Sequence, residues 1–165
     1  LDSLKASVAS FAASCANKLR GQQSVCKSVM VFVSSNRFRE DLKQYGNAAT
    51  ASFITSTSDT IEITKAAIQC LESIYQSGIM YKKTGVVVSE ITPESPLQLD
   101  LFDPNQKRKE RKELMKAMDE INHRFGSKTL RLAVEGTGQQ SWHVKCEHRS
   151  PNYLTDIDGI LTVKV

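Results

Sequence analysis

The sequence predicts an α+β fold: two helices on one face of a three-stranded antiparallel sheet, then a linker and a smaller α+β unit of helix plus β-hairpin. Three observations carry this expectation. Apolar residues recur at helical spacing over 4–19, 64–75 and 114–125. β-Branched runs lie between the first two windows and directly after the second, giving the order helix, strand, strand, helix, strand. An acidic, proline-bearing stretch at 92–106 follows no period and divides the chain.

Leu4, Val8, Phe11, Cys15 and Leu19 define the apolar stripe of a helix over 4–20. Alanines at 6, 9, 12, 13 and 16 fill in as strong helix formers, and Gly21 stands where a helix stops. SVCKSVMVFVSS (24–35) reads as a strand ending at a turn. A polar link, FREDLKQYGN, leads to a second strand over 48–58. Asp59-Thr60 offers an N-cap and Glu62 suits the positive end of a helix dipole. Thr64, Ala67, Ile68, Leu71, Ile74 and Tyr75 form one face of the helix expected over 60–77, closed by Gly78. YKKTGVVVSEI (81–91) is the third strand.

Pro93, Pro96 and Pro104 mark the linker, which also carries Leu97, Leu99, Leu101 and Phe102. Linkers seldom hold that much apolar surface without a use for it. Beyond it, KRKERKELMKAMDEINHRFG predicts a helix over 107–125 with Leu114, Met118, Ile121 and Phe125 as its buried stripe. TLRLAVEG (129–136) and SWHVKCEH (141–148) alternate as a hairpin, with Trp142 its largest packing residue, and GILTVKV suits a last strand. So small a unit is expected to lean on a partner or a second copy. The expected domains are 1–92, a linker over 93–106, and an extension over 107–165.

Net charge divides with these segments: +3 over 1–92 (ten bases, seven acids), −3 over 93–106 (three acids), +4 over 107–165 (twelve bases, eight acids). A mild positive charge favours a polyanionic partner without establishing one. No apolar run approaches the roughly 20 residues a membrane helix needs. The opening LDSLKASVASF lacks a secretory-signal pattern. Cys15, Cys26, Cys70 and Cys146 lack metal-ligand spacing and are too sparse for a disulfide framework, so reduced cytoplasmic thiols are expected.

Catalytic patterns are weak. Glu40-Asp41, Asp119-Glu120 and Asp156/Asp158 do not mark carboxylates converging from separate elements. His143, Cys146 and His148 offer three ligands, but strand alternation puts 143 and 146 on opposite faces. No phosphate loop or nucleophile elbow is present. Bases at the start of the 107–125 helix oppose its dipole, which favours an acidic or polyanionic neighbour. Lys27, Arg37, Arg39, Lys43, Lys82 and Lys83 fall on strands or strand-end loops. They are either a solvated surface or a phosphate-binding patch.

The sharpest feature is Gln98-Leu99-Asp100-Leu101-Phe102. An extended peptide can place two adjacent apolar anchors, here Leu101 and Phe102, in a preformed pocket, with Leu99 as a third contact and Gln98 fixing register. The same side chains can equally fold back on the first domain as a strap. QLDLF resembles, at every position, the clamp-binding peptide of bacterial DNA polymerases and repair proteins. Its setting adds to the likeness. VMVFVSSNRFRE, TSDTIEITKAAIQCLESIY and GIMYKKTGVVVSEITPESPLQLDLFD resemble the little-finger domain of Y-family translesion DNA polymerases. The branch they resemble is the UmuC type, with its ImpB/MucB/SamB relatives. LMKAMDEINHRFGSKTLRLAVEGTGQQSWHVKCEHRSPNY is similar to that branch's C-terminal extension, although Asn152 stands where the family often has a base.

The resemblance implies a non-catalytic C-terminal part of an error-prone polymerase acting in SOS repair, in the bacterial cytoplasm. By the same resemblance no palm, fingers or thumb is expected within these residues, and the little finger's first strand is expected to be missing from them. Lys27, Arg37, Arg39, Lys82 and Lys83 would grip the template-primer backbone, and residues 98–102 would bind the sliding clamp. No cofactor is expected here, while Mg2+ is implied for the parent polymerase. UmuD-type subunits and RecA are further partners implied by the resemblance, with no membrane. The alternatives are a clamp-binding adaptor without DNA binding and, more remotely, a small metal-dependent nuclease built on the His143 cluster.

Overall fold

The structure is a computed structural model and describes residues 1–94, 108–137 and 142. Its element order matches the sequence reading through the first block. Helix α1 (Asp2–Gly21) leads into strand β1 (Ser24–Ser35), β2 (Gly46–Thr57), helix α2 (Thr60–Ile74) and β3 (Tyr81–Ser89). Helix α3 (Arg108–Phe125) and a 3-10 turn (Ala133–Glu135) follow. Strand β1 is central. It pairs antiparallel with β2 on one side, Val31 opposite Ala49, and with β3 on the other, Val31 opposite Val86. A two-residue strand β4 (Thr92–Pro93) extends the β3 side, with Val25 opposite Thr92. The sheet therefore reaches into the segment expected to be linker.

Alternation on the strands separates the two faces. Val29, Val31, Val33 and Phe53 are buried under the helices, with Val86 and Val88 packed beside them. Both helices lie on this face. The core side of α1 is Val8, Ala12, Ala16 and Leu19, while Phe11 and Cys15 sit at its edge. The shift from the predicted stripe follows from size, since alanines let α1 approach α2 closely. Asp59 caps α2 through Oδ1, which accepts from the Ile61 and Glu62 amides at 2.7 and 3.3 Å. Helix α2 ends at Ile74 with Tyr75 extended, short of the predicted residue 77.

Two expectations for the extension are corrected. Residues 129–136 are not a strand. The Asn122 side chain takes both the amide and the carbonyl of Leu130 (2.8 and 2.9 Å), and the Glu135 carboxylate accepts the Leu132 amide (3.0 Å). Local side chains thus occupy backbone groups a ladder would need. The second arm of the predicted hairpin lies outside the described residues apart from Trp142, which sits in a turn. Nor is the predicted stripe of α3 buried: Leu114 is 51% exposed and Phe125 65%, whereas Met115 is 2% exposed. The helix is turned so that its charges, not its larger apolar residues, face the first block.

On the open face Phe32 lies over Gly85, its partner in the β1–β3 register. A Cβ at 85 would stand 2.5 Å from two ring atoms of Phe32. The ring shields a strand position that glycine leaves bare. Gly85→Val is expected to cost about 1–3 kcal/mol, because the ring must leave its place. Chemical denaturation checks this, and an unchanged midpoint would show that the ring moves freely.

Candidate nucleic-acid interface

No acidic residue occurs in β1, β2 or β3; their only charges are Lys27, Lys82 and Lys83. The face turned away from the helices carries Thr50, Ser52 and Ile54 from β2, Met30, Phe32 and Ser34 from β1, and Lys83, Gly85 and Val87 from β3. It is free of negative charge. Such a face admits a polyanion without charge repulsion.

The predicted basic residues are partly gathered. Lys83 stands opposite Ser34, and Lys82 occupies the irregularity where pairing passes to Ser35 and Tyr81. Arg37 and Arg39 lie in the loop that leaves this same end of β1. Lys27 sits at the other end of the strand, on the irregularity between Cys26 and Ser28. Four of the five are thus at one end of the sheet. Arg39 is already engaged. Its Nε and Nη2 reach the two carboxylate oxygens of Asp41 at 2.7 and 2.5 Å, and this holds the Asp41 carboxyl below the usual carboxylate range. Arg37, Lys82 and Lys83 are exposed.

Sequence reasoning passed over Phe38, which is 95% exposed between Arg37 and Arg39. The loop that holds it is firmly built. The Asn36 side chain accepts the Phe38 amide at 3.1 Å, and the Gln44 amide donates to the carbonyls of Asn36, Arg39 and Leu42 at 2.8–3.2 Å. An exposed aromatic ring flanked in sequence by Arg37 and Arg39 suits stacking on a base beside phosphates. The signal lay in the sequence as an aromatic inside a basic turn.

A groove of about 540 Å³ runs along the outer edge of β3, lined by Leu4, Phe11, Tyr81, Lys82 and Trp142. Among the described residues β3 pairs with no strand on that side, so its backbone groups can accept another strand.

Chemistry of other kinds finds little support among the described residues. They hold no group of three or more His, Cys, Asp or Glu able to bind a metal, and His143, Cys146 and His148 lie outside them. Cys15, Cys26 and Cys70 are free. Burial pushes all three thiols up, Cys26 to about 11, so none is an activated nucleophile. No helix among the described residues is long and apolar enough to cross a membrane. Gln98, Leu99, Asp100, Leu101 and Phe102 also lie outside the described residues.

The basic start of α3 finds its acidic neighbour within the chain. Arg111 Nη1 lies 3.2 Å from Asp59 Oδ2, and Arg108 Nη2 is 3.9 Å from Glu62 Oε1. Lys112 reaches Glu94 at 2.7 Å. Farther along α3, Asp119 accepts Nε and Nη2 of Arg20 at 2.6 and 2.7 Å. Trp142 packs edge-on against Phe11 of α1, ring centres 5.6 Å apart.

A two-helix layer on an antiparallel sheet, with an open acid-free face and bases at one end, defines a little-finger-like α+β domain. Residues 1–101 match the impB/mucB/samB family C-terminal domain, and residues 112–163 match a domain of unknown function, DUF4113. The protein UmuC of Salmonella typhimurium is 36% identical over 99% of this chain, SamB of the same organism 34% over 93%, and MucB of Escherichia coli 33% over 94%. The chain covers only 38%, 36% and 36% of these curated relatives. The chain belongs to the impB/mucB/samB family, the UmuC-type branch of the Y-family translesion polymerases, and corresponds to its C-terminal part.

Cys26 yields a pH expectation. Its thiol ionises near pH 9 when unfolded and near 11 when folded. The folded state therefore holds this proton more tightly, and the stability linked to it is complete below pH 9 and lost between about 9 and 11. Denaturant midpoints measured across that window should fall more for the parent than for Cys26→Ala. Equal slopes would show that Cys26 does not ionise with unfolding.

Proposed function

We propose that residues 1–94 grip template-primer DNA through the backbone and that Gln98–Phe102 tethers the parent polymerase to the sliding clamp. The observation that carries the DNA half is the acid-free open face with Arg37, Lys82, Lys83 and Phe38 at one end. Contacts of this type fix position on phosphates and leave sequence unread, which suits an enzyme that must copy any template. Lys27 adds a separate contact at the far end, and Arg39 acts chiefly through Asp41 by holding the loop. The Mg2+ implied by family resemblance would serve the active site of the whole polymerase. The described residues offer no cluster for it. UmuD-type subunits and RecA are family-level partners of the whole protein.

Support for the clamp half is the pentapeptide itself, matched at every position to a clamp-binding pattern and set beyond the sheet's last strand. Tethering raises the local concentration of the enzyme at the primer end without any new catalytic contact.

Two measurements test the proposal separately. Binding of short template-primer duplexes should weaken with salt. Lys82→Gln with Lys83→Gln should reduce the slope by up to about 0.9 for each phosphate left without its lysine, and Phe38→Ala should cost about 1–3 kcal/mol if the ring stacks on a base. A slope unchanged by the lysine pair would favour the adaptor reading. For the clamp, Leu101→Ala with Phe102→Ala should remove about 3 kcal/mol or more, over 100-fold in affinity. Equal clamp affinity for parent and double variant would sink the tether.

A further inference from the structure

We infer that α3 is an electrostatically latched arm. It docks on the helical side of the first domain through ion pairs, and ionic competition releases it. This gives a physical role to the unit whose family match carries none.

The seat is formed by the last turn of α1 and the first turn of α2. Arg20 extends from the former, Asp59 and Glu62 from the latter. Asp59 serves two partners, its Oδ1 capping α2 and its Oδ2 receiving Arg111. Glu62 is likewise held, its Oε2 accepting the Thr57 hydroxyl at 2.7 Å while Oε1 faces Arg108. These acids sit where a helix dipole favours negative charge, so they are in place before α3 arrives. Lys112 with Glu94 adds a more exposed pair, and Arg20 with Asp119 a less exposed one.

Against this polar set stands a single buried apolar side chain of α3, Met115. The larger apolar residues Leu114, Ile121 and Phe125 are turned outward. Docking held by charge and one methionine is sensitive to salt in a way that an apolar core is not. A helix of this length without docking is only marginally stable in water, so release and fraying go together. Gly126, with φ +105°, marks the pivot beyond which Lys128 and the 3-10 turn keep their own contacts with α1.

Latching sets where α3 begins. With Lys112 on Glu94, the start of α3 is held beside the end of the sheet, and release frees that start while the contacts beyond Gly126 remain. Any effect on clamp capture rests on the peptide reading above. The latch itself does not, and its test uses no clamp.

Hydrogen exchange on the full chain measures the latch. Amides over 108–118 should exchange at least about tenfold faster at roughly 1 M salt than at roughly 0.05 M, while amides of Val29–Val33 keep their protection. Arg111→Ala with Lys112→Ala should give the fast exchange already at low salt. The exchanged pair Glu94→Lys with Lys112→Glu should return protection toward the parent, which a merely damaged fold would not allow. Exchange over 108–118 that ignores salt and is unchanged in Arg111→Ala/Lys112→Ala would overturn the latch. So would release in which the Val29–Val33 amides lose protection equally, since that is unfolding of the domain.

Discussion

Three parts of the chain meet on one guanidinium. Arg20, in the last turn of α1, gives Nε and Nη2 to Asp119 of α3 and Nη1 to the Ser58 carbonyl and the Thr60 hydroxyl, at 2.7 and 2.8 Å. Only arginine has donors in a planar fork that serves a carboxylate on one edge and a turn on another. The turn it holds is the one that starts α2, so the entry angle of α2, the end of α1 and the seat of α3 are fixed together. Charged hydrogen bonds of this kind contribute about 1.5–3 kcal/mol each when partly sheltered, and the Arg20 side chain is mostly sheltered. Lysine would keep the charge and lose the junction.

The molecule is joined by two kinds of contact. Within residues 1–94 the helices meet the sheet through valines, alanines and leucines, and the fit depends on volume. Between that domain and α3 the contact depends on charge and reach: long Arg and Lys side chains cross to acids already fixed by a cap or a turn. Apolar packing makes a domain that folds as one, whereas charge pairing makes an attachment that solvent conditions can adjust. The same chemistry explains the oddly basic start of α3, since its unfavourable dipole contact is offset by the acidic start of α2.

Much of the first block was legible because its signals were redundant. Strand alternation and β-branched runs both marked β1 and β3, and the Asp59 cap marked α2 at the residue where it begins. The extension was less legible because its apolar spacing pointed the wrong way. Leu114, Met118, Ile121 and Phe125 make a good helical stripe, yet the acids that choose the docked face, Asp59, Glu62 and Glu94, lie far away in sequence. Periodicity reads one helix at a time and cannot weigh partners it does not contain. Residues 129–136 failed for a local reason, since Asn122 and Glu135 bind backbone that alternation alone would give to a strand. The basic patch was readable as composition but not as geometry. Nothing in the order of residues says that Arg39 folds onto Asp41, or that Lys27 ends up at the other end of the sheet from Lys83.

The placement of α3 bears on how the proposed DNA contact and the arm can share one small domain. It docks on the helical side, at the ends of α1 and α2, and the open sheet face with Lys83 and Met30 is left uncovered by it. Phe38 and Arg37 project from a sheet end that α3 does not approach through any of its ion pairs. A ligand on the sheet and an arm on the helices therefore do not compete for space. They compete, if at all, through charge, because phosphates near the domain favour the same arginines that the latch employs. Contact between the two sides runs through β1, whose inward valines carry the helices and whose outward residues floor the open face. A packed strand transmits force poorly unless it has two stable arrangements, and the ladder here shows one. Independence of the two faces is thus the simpler physical reading of this fold, with ionic strength as the variable they share.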